Sequence, residues 1–169
     1  MDPNRLSPVV PAMERYLGAS EFDIVPHLIA LAIAYALAFP IGWNREKHER
    51  SAGLRTFPLV AVATCGLIQA AEGFAAEHPE ALSRVIEGLL AGMGFIGGGA
   101  ILKNDESVRG TATAASLWVT GAIGIAVGLG SIDLAVMMAL VTFLTLWLAA
   151  PLKEIANDER AGKPENPDP

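Results

Sequence analysis

Glu72, Glu87 and Asp133 each stand at the end of a long apolar run. A hard divalent cation such as Mg2+ takes one or two carboxylates and keeps most of its water. These three therefore form a candidate metal site, at a membrane boundary where charge is inexpensive to hold; carboxylates so placed are more often simply solvated. A second group, Asn44, Arg45, Glu46, Arg55, Arg109, Thr111 and Thr113, gathers beside the opposite ends of the apolar runs. Arginines alone would serve as a headgroup anchor, worth about 1 kcal/mol each. An anchor needs neither threonines nor the glycines Gly53 and Gly110 beside the arginines, so this group reads as a polar cluster able to bind a ligand or a partner.

Other chemistry finds less support. Gly92-Met93-Gly94-Phe95-Ile96-Gly97 matches the dinucleotide fingerprint letter for letter, but that motif works only where a strand ends and a helix N-terminus faces a pyrophosphate. Here it lies inside an apolar run. A serine nucleophile needs a base within hydrogen-bond reach, and His27 and Ser116 fall at different depths. Zinc wants three or more His or Cys ligands, and His27, His48, His78 and Cys65 are scattered over both sides. The net charge of −6 has the wrong sign for a nucleic-acid binder. The chain therefore reads as a non-enzyme with no resident cofactor, any metal chemistry being an interaction with Mg2+ at the three carboxylates.

The elements that must position these residues are membrane helices. The apolar fraction is 52% of 169 residues, concentrated in stretches of about 20 residues, the length that crosses a hydrocarbon core of about 30 Å. The pattern predicts an all-α polytopic membrane protein with five transmembrane helices, over 24–43, 56–71, 85–102, 111–129 and 132–150. Pro26 and Pro58 suit first helical turns. Pro40 predicts a kink or an early stop and Pro151 a stop, while Gly130-Ser131 predicts a tight turn between the last two helices. Residues 1–23 form an extracytoplasmic N-terminal segment without a basic region leading into an apolar stretch, so they do not read as a cleaved signal. Residues 24–151 are the membrane domain, and 152–169 a short charged, proline-rich cytoplasmic tail.

Basic residues set the orientation. One side would hold Arg45, Lys47, Arg50, Arg55, Lys103, Arg109, Lys153, Arg160 and Lys163; the other has only Arg5, Arg15 and Arg84. Positive residues mark the cytoplasm, which places the N-terminus outside and the C-terminus inside. Small residues four apart let helices approach closely in lipid. Gly88/Gly92, Gly94/Gly98 and Gly124/Gly128 have that spacing and predict that the third and fourth helices are the tightest pair, packed on each other or against a membrane partner or second copy. Gly97-Gly98-Gly99 also weakens the third helix, by about 1 kcal/mol per residue relative to Ala. No Asp, Glu, Lys or Arg lies at the centre of a span, which argues against a proton relay or a dehydrating pore.

Two blocks resemble the signature of the MgtC/SapB family of bacterial inner-membrane proteins. The first is Gly42-Trp43-Asn44-Arg45 with Ala52-Gly53-Leu54-Arg55-Thr56. The second is Gly92-Met93-Gly94-Phe95-Ile96-Gly97-Gly98-Gly99, then Val108-Arg109-Gly110, Thr113-Ala114-Ala115, Leu117-Trp118 and Ala122-Ile123-Gly124. The resemblance implies a five-span domain in the bacterial inner (plasma) membrane, associated with magnesium homeostasis, growth under magnesium limitation and survival inside host cells. Some members are described as regulators of the membrane ATP synthase, and many are labelled magnesium transporters. This chain departs from the pattern at Asn44, where the family usually has Glu, and at Val119, where it often has Cys. Only Lys153–Pro169 stands where some members carry a folded C-terminal domain, too short for a core. The function these features imply is that of a regulatory or partner-binding membrane protein, with a small oligomeric magnesium or cation transporter as the alternative.

Overall fold

A computed structural model describes residues 24–48, 52–75, 78–104 and 107–161. The segment 1–23 and the end of the tail from 162 lie outside the described residues. Five helices occur among those described: α1 (Ile24–His48), α2 (Thr56–Ala75), α3 (Pro79–Gly99), α4 (Thr111–Gly128) and α5 (Ile132–Ala161), with a two-stranded hairpin, β1 (Leu102–Asn104) and β2 (Ser107–Arg109), between α3 and α4. Stretches of α1 to α4 are long and apolar enough to cross a bilayer, and α5 contributes the shorter apolar stretch Ile132–Leu148, near the lower limit of about 17 residues for a span. The protein is an all-α polytopic membrane protein whose solvent is the lipid bilayer.

Several boundaries differ from expectation, each for a physical reason. α1 runs through Pro40 to His48 because Ile41, Gly42, Asn44 and Arg45 beyond the proline are buried; tertiary packing, more than propensity, stabilises helices in proteins. α5 likewise runs through Pro151 to Ala161, over a sequence rich in Lys, Glu, Ala and Arg, all good helix formers. α3 starts at Pro79 rather than 85. Proline at the first helical position gives up an N–H that would be unpaired anyway, and Leu82, Val85, Ile86 and Leu89 form an inward stripe from the first turns. At its other end the helix closes at Gly99, the last of the glycine run, rather than at 102. Ala100 N–H bonds the Ile96 and Gly97 carbonyls at 3.2 and 3.1 Å, and Ile101 N–H bonds Gly98 at 3.1 Å, a tightening typical of helix ends. Between the spans expected over 85–102 and 111–129, Leu102–Asn104 and Ser107–Arg109 pair as an antiparallel hairpin, with Leu102 opposite Arg109 and Lys103 opposite Val108.

The helices alternate in direction. Gly42 abuts Phe57 and Gly66 lies near Leu31, so α1 and α2 are antiparallel; Gly97 meets Ala114 and Gly121 meets Met93, so α3 and α4 are antiparallel; Gly124 meets Ala61 while Gly128 meets Ile68, so α2 and α4 run parallel. The main core joins α1, α2, α4 and α5 through Ala34, Ala38, Phe57, Ala61, Cys65, Leu117, Ile123, Val127 and Ala135, and α3 attaches through a second cluster of Ile68, Met93 and Ile125.

The glycines divide in a way the spacing did not foresee. A Cβ at Gly124 would collide with the Thr64 hydroxyl and the Ala61 carbonyl, and one at Gly128 would come within 2.7 Å of Ile68. Both seat α4 on α2, not α3. At Gly88, Gly92, Gly94 and Gly98 a Cβ would meet nothing within 4 Å; the contacts of α3 with α4 run instead through Gly97 and through Met93 against Gly121. The expectation of α3 and α4 as the tightest pair gives way to α2 and α4, because i,i+4 spacing fixes a face without saying which neighbour it meets.

Candidate functional site

Asn44 and Arg45 occupy the last turn of α1, and both are buried, at 8% and 6% exposure. The Arg45 guanidinium donates to Asn44 Oδ1 at 2.9 Å. A guanidinium so enclosed must be hydrogen-bonded to be tolerated, and Asn44 supplies a neutral acceptor. One residue on, Glu46 Oε2 accepts the Leu54 N–H at 3.0 Å. That bond folds the loop back over the end of α1, and two glycines allow the approach. A Cβ at Gly53 would strike the Glu46 carboxylate and come within 3.0 Å of its Cα, and one at Gly42 would lie 3.1 Å from Phe57 and 3.2 Å from the Gly53 carbonyl. Gly53 also accepts the Phe57 N–H at 3.2 Å, and Arg55 accepts that of Leu59 at 3.3 Å, so the first turn of α2 is closed by the same loop.

The α3–α4 connection ends beside it. Gly110 is the N-cap of α4 with φ 87°, and a Cβ there would collide with the Ala100 carbonyl. Its carbonyl accepts the Ala114 N–H at 2.8 Å. Thr113, in the first turn, is fully buried, whereas Arg55, Arg109 and Thr111 are exposed at the rim. The seven residues therefore lie at one end of the bundle, sorted into a buried part of Asn44, Arg45 and Thr113 and an exposed part of Glu46, Arg55, Arg109 and Thr111.

The other candidates are placed as plainly. Glu72, Glu87 and Asp133 are all exposed at the opposite end, and among the described residues no three His, Cys, Asp or Glu side chains gather into a group that could hold a metal ion. The three carboxylates thus share an end of the bundle without converging within one chain. Ser116 donates its hydroxyl to the Ala112 carbonyl at 2.7 Å, and Thr120 to Ser116 at 2.8 Å. Such bonds to the preceding turn satisfy hydroxyls inside lipid and leave Ser116 without a nucleophile's partner, His27 lying in the first turn of α1 at the far end. The sequence reasoning missed the seating role of Gly42 and the notch at Gly121 because each acts singly, outside an i,i+4 pair.

Comparison with known proteins adds the decisive observation: the model of the MgtC family matches residues 31–155. The chain belongs to the MgtC family. It is 38% identical to Protein SrpB of Synechococcus elongatus over 140 residues, covering 75% of this chain and 76% of that protein. It is 36% identical to Protein MgtC of Salmonella typhimurium over 105 residues, 62% of this chain and 44% of that protein. It is 34% identical over 125 residues to YhiD of Escherichia coli, named as a candidate magnesium transporter, covering 70% of this chain and 58% of that protein. The alignment thus spans about half the length of MgtC and YhiD. No solved structure matches. Within this MgtC-family chain the two signature blocks converge in space. The first forms the end of α1 and its return loop, and the second runs down α3, through the hairpin and back along α4 as far as Gly124, so both pass through the end that carries the buried arginine.

Proposed function

We propose that this MgtC-family chain is a regulatory, partner-binding protein of the bacterial inner membrane that serves magnesium homeostasis, with the arginine-bearing end of the bundle in the cytosol as its binding end. The observation that carries the proposal is the buried Asn44–Arg45 pair under a loop fixed by Glu46, with Arg55 and Arg109 exposed at the rim. Holding a guanidinium away from water is costly, and a headgroup anchor has no use for it. The magnesium connection is supported by the family and by the names of MgtC and YhiD. Orientation is supported by the distribution of Lys and Arg and by the tryptophans: Trp43, Trp118 and Trp147 are exposed toward the same end, as in an interfacial aromatic belt.

Complementation of a host lacking its own copy tests this. In limiting magnesium, Arg55→Ala and Arg109→Ala should each slow growth while the protein accumulates normally. Wild-type growth from both, at wild-type protein level, would remove the cluster from the function. The transporter reading draws on the name of YhiD and has its own assay. Vesicles containing the purified chain and a magnesium-sensitive dye should show no protein-dependent influx; influx abolished by Glu87→Gln would establish transport instead.

A further inference from the structure

α3 presents two dissimilar faces. The inward one carries Leu82, Val85, Ile86, Leu89 and Met93 against α2 and α4. The outward one carries Arg84, Glu87, Gly88, Gly92, Phe95 and Gly98, which share one side of the helix at 3.6 residues per turn and are all exposed. A side chain built at Gly88, Gly92 or Gly98 would meet nothing within 4 Å. The lipid-facing sides of α1 and α5 look different: they show Leu28, Ile29 and Phe39, or Leu140, Val141 and Leu144, bulky side chains suited to acyl chains. A glycine groove has little to offer acyl chains but lets a second backbone approach closely.

We propose that the outward face of α3 is the docking surface for a second copy of this chain, the two helices lying parallel about a twofold axis along the membrane normal. Both the shape and the charge of the face are self-complementary, which is what a twofold interface requires. Phe95, 86% exposed, projects between the notches at Gly92 and Gly98, so a twofold partner can seat each ring in the other's notch. Toward the helix start stand Arg84 and Glu87, exposed and without an ion-pair partner among the described residues. Both copies insert into the membrane the same way, so equivalent residues lie level, and Arg84 of each copy reaches diagonally to Glu87 of the other, about 4.5 Å further along the helix, twice over. An unrelated partner would need to match only one sign and only a groove; this face carries both signs, a knob and its notch. The inference is independent of the magnesium reading.

Co-capture of two differently tagged full-length chains from one bacterial membrane, in mild detergent, tests it. Wild type should co-purify. Arg84→Glu and Glu87→Arg should each lower recovery about fivefold, since like charges are then opposed across the contact, and the double exchange R84E/E87R should restore it. Gly92→Leu should abolish co-capture while the single chain melts as wild type does, its side chain having open space within the protomer. If Gly92→Leu fails to accumulate, the charge exchange decides alone. No co-capture of wild type, recovery only of a different protein, or single exchanges that co-purify as wild type does would each overturn the proposal.

Discussion

At the scale of single residues, the bundle's arginine end depends on a few hydrogen bonds and close approaches. Asn44→Ala would leave the enclosed Arg45 guanidinium without its 2.9 Å acceptor. A bond to a charged group contributes about 1.5–3 kcal/mol, and thermal unfolding in detergent should show a loss of that order. Gly110→Ala combines a left-handed backbone with a collision at the Ala100 carbonyl; the strain alone is about 1–3 kcal/mol, so the variant should melt earlier or fail to accumulate. The polar types and their shared end were legible in the sequence, because charge cannot retreat into the hydrocarbon and must collect at the span ends. Their sorting was not. Nothing in the order Asn44-Arg45-Glu46 says that two of the three are buried and the third is exposed, since that depends on how the loop from Gly53 returns over α1.

At the scale of elements, the existence of five helices was legible and their ends were less so. Apolar length locates a span, but a helix continues wherever its backbone stays paired and its side chains find neighbours. So α1 passes Pro40 and α3 begins at Pro79. The α4–α5 turn did follow its local sequence. Gly130, at φ 76°, lets its own N–H bond Val127 at 3.0 Å and the Ser131 N–H bond Ala126 at 2.9 Å, the paired bonds of a Schellman ending. Partner choice did not follow from spacing, since Gly124 and Gly128 meet α2 while Gly88, Gly92, Gly94 and Gly98 of α3 face outward. This yields a contrast to measure. Gly128→Leu should destabilise the bundle by about 1–3 kcal/mol or more through overpacking against Ile68. Gly98→Leu, with open space around it, should leave the melting of the single chain near wild type.

At the scale of the whole molecule, lipid as the solvent explains why many large apolar side chains cover the surface while alanines share the core with Phe57, Ile68, Leu117 and Ile123. Ala34, Ala38, Ala61, Ala126, Ala135 and Ala139 lie in the core while Leu28, Leu59, Met137, Leu140, Val141 and Trp147 stand exposed, small residues at the helix contacts being what close packing in lipid favours. Along α1, Tyr35, Phe39 and Trp43 form an exposed ladder with 6.1 Å between ring centroids, ending where Lys47 Nζ lies 5.3 Å from the Trp43 ring, an arrangement that fits the boundary between acyl chains and headgroups. That boundary is also where the buried Arg45 and the exposed Arg55 and Arg109 lie, so sidedness ties the fold to the proposed function. Reporter fusions in the intact membrane measure it directly, at Gly53, at His78 and after Ala161. Cytosolic reporters at Gly53 and after Ala161 with an external one at His78 are expected. Reporters at Gly53 and His78 on the same side, or at Gly53 and Ala161 on opposite sides, would contradict the five-crossing bundle with its arginines in the cytosol.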